Sequence, residues 1–196
     1  MKVAIIKYNA GNICSVDNAL RRIGIEPILT SEPEIIRNSD RVIFPGQGEA
    51  RTTMNYLKES GIDKLILSLK QPVLGICIGM QLMCSHSEEN NTDCLGIFDT
   101  DVKLFHPKDR TEKVPQMGWN TIYDTKSNLF KGFENPEFVY FVHSYYVPLC
   151  QYTIGTTDYI QPYSSALHKD NFYATQFHPE KSGRIGELIL KNFIEL

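Results

Sequence analysis

One cysteine in this chain stands where a nucleophile could be made. Residues Val73-Leu74-Gly75-Ile76 form a short apolar run that reads as a buried strand. Cys77 follows, then Ile78-Gly79-Met80-Gln81, and a helix-like pattern extends to about residue 84. Gly75-x-Cys77-x-Gly79 is the nucleophile-elbow spacing with a thiol in place of a hydroxyl. A strand that turns sharply into a helix strains its central residue and crowds positions two away on either side, so glycine suits both. The thiol would then sit at a helix N-terminus, where free N–H groups and the macrodipole favour its thiolate form. Read alone, the pentapeptide also fits a buried structural cysteine in a glycine-bounded turn.

A thiol nucleophile needs a base, and the base needs a third group to orient it. The chain has five histidines. His86, His106 and His168 fall in polar or charged stretches and read as surface or turn residues. His143 ends the aromatic segment Tyr140-Phe141-Val142 and could line a site. His178 is distinct because it follows the strand-like run 172–177 and precedes Pro179, which biases it toward extended backbone. In extended chain, residues two apart point the same way, so Glu180 can lie alongside His178 and fix its tautomer. A solvated His-Pro-Glu turn is the plainer alternative. For the oxyanion of an acyl transfer, the N–H of Ile78 is one candidate donor. The other is Gly48, in Pro45-Gly46-Gln47-Gly48 at the C-terminal end of the preceding strand, where parallel sheets place their sites.

The elements that would hold these groups alternate. Strands are expected at 3–7, 25–29, 41–44 and 73–76. Helices are expected over 13–23, stopped by Gly24, over 31–37 with Pro33 near its start, and over 49–70 on either side of Gly61. Asn12 could cap the first helix. From about residue 96 the pattern changes to strands at 102–105, 120–123, 138–142, 152–157, 164–168 and 172–176. A closing helix spans 182–193, with Ser182 as its N-cap and Ile185, Leu188, Ile189 and Phe193 on one side. The expected fold is α/β: an open, mostly parallel twisted sheet flanked by helices, flavodoxin-like, with an antiparallel extension in the second half and one domain over 1–196.

Composition narrows the function classes. At 196 residues, 42% hydrophobic and 22% charged, the chain has the make-up of an ordinary globular protein. A net charge of −3 gives no footprint for nucleic acid or an anionic membrane. No apolar run approaches the roughly 20 residues of a membrane span. The five cysteines, Cys14, Cys77, Cys84, Cys94 and Cys150, contain no CxxC pair, so neither a zinc knuckle nor a disulfide framework is indicated. Free thiols of this kind suit the cytoplasm. No metal or cofactor is expected.

Taken together, the two chemical segments resemble those of the class I, triad-type glutamine amidotransferases. Gly75-Ile76-Cys77-Ile78-Gly79-Met80-Gln81 is similar to that family's nucleophile segment and Gln176-Phe177-His178-Pro179-Glu180 to its acid–base segment. Further stretches resemble one branch, the glutaminase subunits that work with a (β/α)8-barrel cyclase in histidine biosynthesis. They are Tyr8-Asn9-Ala10-Gly11-Asn12, Pro45-Gly46-Gln47-Gly48, Val114-Pro115-Gln116-Met117-Gly118-Trp119-Asn120, Tyr140-Phe141-Val142-His143-Ser144-Tyr145, and Lys181-Ser182. The likeness spans nearly the whole chain. It departs at Gln47, where a small or branched apolar residue is usual, at Gln116, where histidine is more familiar, and at Cys14, where arginine is common.

The resemblance implies that Cys77 attacks the side-chain amide of glutamine, that His178 transfers the protons and that Glu180 orients His178. It implies that Gln81 and the backbone near His143, Ser144 and Tyr145 hold the amino-acid end of glutamine. Ammonia would pass through a tunnel into the cyclase, and Pro115, Met117, Gly118, Trp119, Asn120 and Lys181 would face that partner. Without the resemblance, Trp119 reads as a core residue and Lys181 as a solvated charge. The same chemistry feeding a different synthetase, such as one that aminates a nucleotide-linked sugar, is an alternative partner. Alternatives of other classes are a stand-alone cysteine hydrolase and a non-catalytic interaction subunit.

Overall fold

Three short, nearly all-apolar strands organise the chain: β1 (Val3–Ile6), β3 (Arg41–Phe44) and β4 (Val73–Ile76). Buried on both sides, they need the near-continuous apolar runs of a parallel sheet. The computed structural model, which describes residues 1–8 and 13–196, places them side by side, with β2 (Ile28–Thr30) at the outer edge of β1. The expected Asn12 cap lies outside the described residues.

Side chains alternate between two helical layers. Val3, Ile5, Ile43 and Leu74 pack with Val16 and Leu20 of α1 (Ile13–Arg22) and with Ile189, Leu190 and Phe193 of α6 (Gly183–Glu195). Ala4, Ile6, Val42, Phe44 and Val73 pack with Met54 and Leu57 of α3 (Ala50–Ser60) and with Leu65 and Ile66 of α4 (Ile62–Ser68). Most of these side chains are fully buried, and each such aliphatic or aromatic group contributes about 1.5–3 kcal/mol. The short α2 (Pro33–Arg37) has proline at its start, and Gly61 joins α3 to α4 in the left-handed conformation, φ 72°.

The antiparallel extension is real, and its placement is what builds the site. β11 (Thr153–Tyr159), β12 (Gln161–Lys169) and β13 (Phe172–Thr175) add to the other edge, in the order β11-β12-β13-β4-β3-β1-β2. β13 returns parallel to β4, pairing Ala174 with Gly75 and Thr175 with Ile76. The chain leaving β13 therefore emerges beside the chain leaving β4. A separate antiparallel ribbon of β8 (Gln116–Ile122) and β9 (Glu137–His143) lies against this half.

The structure departs from expectation at several places, including β2, which starts at Ile28, and β8, which starts at Gln116. The helix after Cys77, α5, covers only Ile78–Leu82, and Cys84 starts a strand, β5 (Cys84–Ser87). β5 joins β6 (Thr92–Asp93), β7 (Phe98–Leu104) and β10 (Tyr145–Tyr146) in a small second sheet. Cys-Ser-His-Ser carries no β-branched residue, and β7 starts earlier than expected because Phe98 pairs with Cys84 of β5, a long-range contact that Asp99-Thr100-Asp101 does not signal. Ser182 does precede α6 but makes no cap. Its hydroxyl donates to the His178 carbonyl at 2.7 Å and accepts the Tyr140 N–H at 3.0 Å. It ties β9 to the turn that carries His178. Leu188 is only partly covered, while Leu190 takes a fully buried place in α6.

Candidate active site

Cys77 sits at the end of β4 with φ 55° and ψ −108°, the one strained residue in the strand–helix turn. The flanking glycines are sterically required. A Cβ on Gly75 would meet the backbone of Gly79 at 3.0 Å and the Met83 sulfur at 2.9 Å, and one on Gly79 would run into the Phe44 carbonyl of β3. The turn is held by the Cys77 N–H, which donates to the Thr175 carbonyl at 2.8 Å. That same bond fixes the distance between the two chemical segments, so the sheet closes their separation in sequence.

His178 is fully buried, and its Nδ1 lies 2.7 Å from Glu180 Oε1, with both side chains shielded from solvent. Glu180 lies in the short 3-10 turn Pro179–Lys181 that proline starts. With Nδ1 committed to the carboxylate, Nε2 is the nitrogen left for Cys77, and it is buried with no hydrogen-bond partner of normal geometry. Burial lowers the imidazole pKa, but the Cys77 sulfur and Glu180 outweigh it and raise His178 to about 10. A positively charged imidazole between a sulfur and a carboxylate is the arrangement that a thiolate nucleophile uses. Cys77 Sγ also lies 3.7 Å from Gln176 Nε2 and 3.8 Å from the Val142 carbonyl.

Cys77 and His178 open onto a cavity of about 330 Å³, lined also by Gln47, Gly48, Ile78, Gln81, Glu89, Val142, His143, Ser144 and Tyr145. The structure thus gathers both expected oxyanion donors and all four expected substrate-holding residues around one space beside the thiol. Gly48 takes φ 152°, a backbone setting that favours glycine. The Tyr8 hydroxyl, deeply buried, donates to the Pro45 carbonyl at the start of that loop. Gln81 donates through Nε2 to the Tyr145 carbonyl at 3.1 Å and to Gln176 Oε1 at 3.0 Å. His143 is buried and its pKa falls to about 4, chiefly through burial. Glu89 is a lining residue that the sequence does not single out. It follows β5 in a polar stretch with no pattern pointing to a site, and its carboxylate accepts the Ala50 N–H at 2.7 Å. Burial and the neighbouring Glu49 raise its pKa.

The remaining expected residues form a surface next to this cavity. On the β8–β9 ribbon, Val139, Phe141 and His143 turn inward, and the alternate positions turn out. Met117, Trp119 and Phe138 are more than half exposed, at 66%, 56% and 59%. Trp119 packs edge-on against Tyr140, and Lys181 Nζ lies 5.8 Å above the Tyr140 ring. Pro115 is exposed, Gly118 is half-buried with φ 130°, and Asn120 donates to the Asp158 carbonyl at 2.9 Å. Trp119 is therefore not a core residue. Phe138 belongs to the same surface and was missed, although period-two alternation along β9 could have pointed to it. Among the described residues no His, Cys, Asp or Glu group is placed to hold a metal, and no helix is long and apolar enough to cross a membrane.

The class-I glutamine amidotransferase family model matches residues 5–196. The chain belongs to that family. It is 69% identical over its full length to the imidazole glycerol phosphate synthase subunit HisH of Bacteroides fragilis. It is 65% identical to the HisH subunit of Bacteroides thetaiotaomicron and 44% identical to that of Escherichia coli K12, with the whole of each chain covered. The chain is a glutamine amidotransferase that groups with the HisH subunits. Solved structures share the fold at low identity. A putative GMP synthase protein from Thermoplasma acidophilum superposes with a TM-score of 0.75 at 21% identity, covering 100% of this chain and 93% of that one. The PurLQS structure from Thermotoga maritima gives 0.71 at 14% identity, covering 99% and 97%.

Proposed function

We propose that this chain is the glutaminase subunit of an imidazole glycerol phosphate synthase, hydrolysing glutamine and passing ammonia to a (β/α)8-barrel cyclase subunit. The observation that carries the chemistry is the buried Cys77–His178–Glu180 set opening onto one cavity. Glutamine enters with its side-chain amide at Cys77 and its charged end toward Gln81 and Glu89. The Glu89 carboxylate supplies a counter-charge for the α-ammonium, and the backbone at Ser144 and Tyr145 supplies polar contacts. Cys77 Sγ adds to the amide carbon, and the N–H groups of Ile78 and Gly48 receive the developing oxyanion. His178 gives its Nε2 proton to the departing nitrogen, so ammonia leaves and a γ-glutamyl thioester remains. His178, now neutral, takes a proton from water as it attacks the thioester. Glutamate is released and the Cys77 thiolate beside protonated His178 is restored, with Glu180 holding the ring throughout.

The partner face is built around the outward Met117 and Trp119 of β8 and Phe138 of β9, with Pro115, Gly118 and Asn120 of the same segment and Lys181 of the Pro179–Lys181 turn. Its position supports partner control, because β9 is tied into the site. The His178 N–H donates to the Tyr140 carbonyl at 2.9 Å, and Val142 lines the cavity. A single compact domain over 1–196 and work in the cytoplasm fit this role. The test is glutamine turnover by the purified chain, measured alone and with the cyclase plus its ribonucleotide substrate. Turnover should rise strongly with the partner. Equal rates in both mixtures would remove the reading.

A further inference from the structure

Gln116, buried on the inward side of β8, is paired with His143 across the ribbon. Among the described residues a carbonyl, an amide and a hydroxyl reach the His143 ring nitrogens, with no carboxylate among them, and burial without a counter-charge favours the neutral ring. Nδ1 lies 2.7 Å from the Tyr145 carbonyl, which can only accept, so Nδ1 carries hydrogen. A buried neutral ring must then accept at Nε2. The Gln116 amide lies 3.1 Å from Nε2, and the Tyr163 hydroxyl 3.2 Å. With Oε1 turned toward His143, two acceptors face each other and Gln116 Nε2 is buried without a partner. Turning the amide removes the conflict between the two acceptors. The Tyr163 hydroxyl meets the amide at the Oε1 position, 2.9 Å away. Once turned, the amide nitrogen occupies that position and can donate to His143 Nε2 and to the Tyr163 oxygen, while Oε1 takes the partnerless place.

We propose that Gln116 is a positioning residue that donates to His143 and locks it as the neutral Nδ1–H tautomer, so that His143 holds the Tyr145 carbonyl in the wall of the glutamine cavity. The same carbonyl also receives Gln81 Nε2, so two donors from opposite sides set one peptide of that wall. The groups facing His143 are Gln116 from β8, Tyr163 from β12, and the rings of Phe105 and Phe141 at 5.5 and 5.6 Å. His178 is the charged group in range, and a neutral His143 spares it a like-charged neighbour. The proposal rests on the glutaminase reading only for what occupies the cavity.

The test is nitrogen-15 NMR of the full chain with labelled histidine, which reads each ring nitrogen without any activity. The unmodified chain should show His143 protonated at Nδ1 and bare at Nε2 at neutral pH. A proton on Nε2, with or without one on Nδ1, would overturn the proposal. An ionised Glu can only accept, so in Gln116→Glu, with the carboxylate shown ionised by carbon-13 NMR, His143 should be doubly protonated. A ring still bare at Nε2 beside an ionised Glu would also overturn it. Gln116→Leu removes the donor and should raise KM for glutamine about tenfold with a smaller change in kcat. An unchanged KM in that variant would count against it. Failure of glutamine turnover in the unmodified chain would strike the glutaminase reading and leave the tautomer result standing.

Discussion

Replacing Glu180 by Gln asks how much of the chemistry depends on charge and how much on shape. The carboxylate oxygen lies 2.7 Å from His178 Nδ1, and neither side chain reaches solvent. Gln keeps the volume and can turn its oxygen to the same N–H. What it loses is the charge on the acceptor. A buried hydrogen bond to a charged group is worth about 1.5–3 kcal/mol and a neutral one about 0.5–1.5, so the difference is about 1–2 kcal/mol. At about 1.4 kcal/mol per tenfold in rate, Glu180→Gln should lower kcat roughly 5- to 30-fold. His178→Ala removes the proton carrier itself and should cost more, about a hundredfold to ten-thousandfold. The assay is glutamine-dependent turnover by the complex with the cyclase, with His178 titrated in parallel by NMR. Glu180 is one of the two groups that raise the His178 pKa, so the pKa should fall in Glu180→Gln. A loss as large as that of His178→Ala, or none at all, would refute the orienting role.

Other consequences follow from the same geometry. Cys77→Ser should lower the His178 pKa from about 10, because the sulfur is the largest of the groups raising it; an unmoved titration would contradict the pairing. His178 is raised above its ordinary value of 6.5. Its contribution to stability is therefore fully present below pH 6.5 and lost as pH climbs through about 10. Comparing chemical denaturation of the unmodified chain and Cys77→Ser across that window should show the difference shrinking at the alkaline end. Gly79→Ala should destabilise the chain by about 1–3 kcal/mol, since its methyl runs into the β3 backbone; thermal unfolding reads this directly. Trp119→Ala should weaken binding to the cyclase by about 2 kcal/mol or more while the isolated chain keeps its melting temperature, which titration calorimetry and a thermal scan would check.

Much of this site is legible in the sequence. Gly75-x-Cys77-x-Gly79 announces its turn because the backbone leaves no room for a side chain at either glycine. Pro179 and the two-residue spacing announce the His178–Glu180 pair. The buried runs of β1, β3 and β4 read as parallel strands because they carry no polar face. The meeting of Cys77 with His178 is readable only through the family resemblance, since it depends on β13 pairing parallel with β4, a long-range choice that local pattern does not encode. Glu89 stayed hidden because Cys-Ser-His-Ser looks like the end of a helix, not the strand that delivers it. Ser182 looked like a cap, for its type and position suit one, but tertiary contacts with Tyr140 and His178 took its hydroxyl. Trp119 was placed on the surface by family resemblance alone, since an aromatic flanked by glycine and asparagine has no period to reveal its face.

The most direct measurement is alkylation of the full chain by a diazo-ketone analogue of glutamine, with the adduct located by peptide mass spectrometry. One adduct should form on Cys77, and the modified complex should lose glutamine-dependent synthesis while keeping ammonia-dependent synthesis. Loss of glutamine-dependent activity with Cys77 unmodified, or with the label on Cys94 or Cys150 instead, would contradict the assignment of this thiol as the nucleophile.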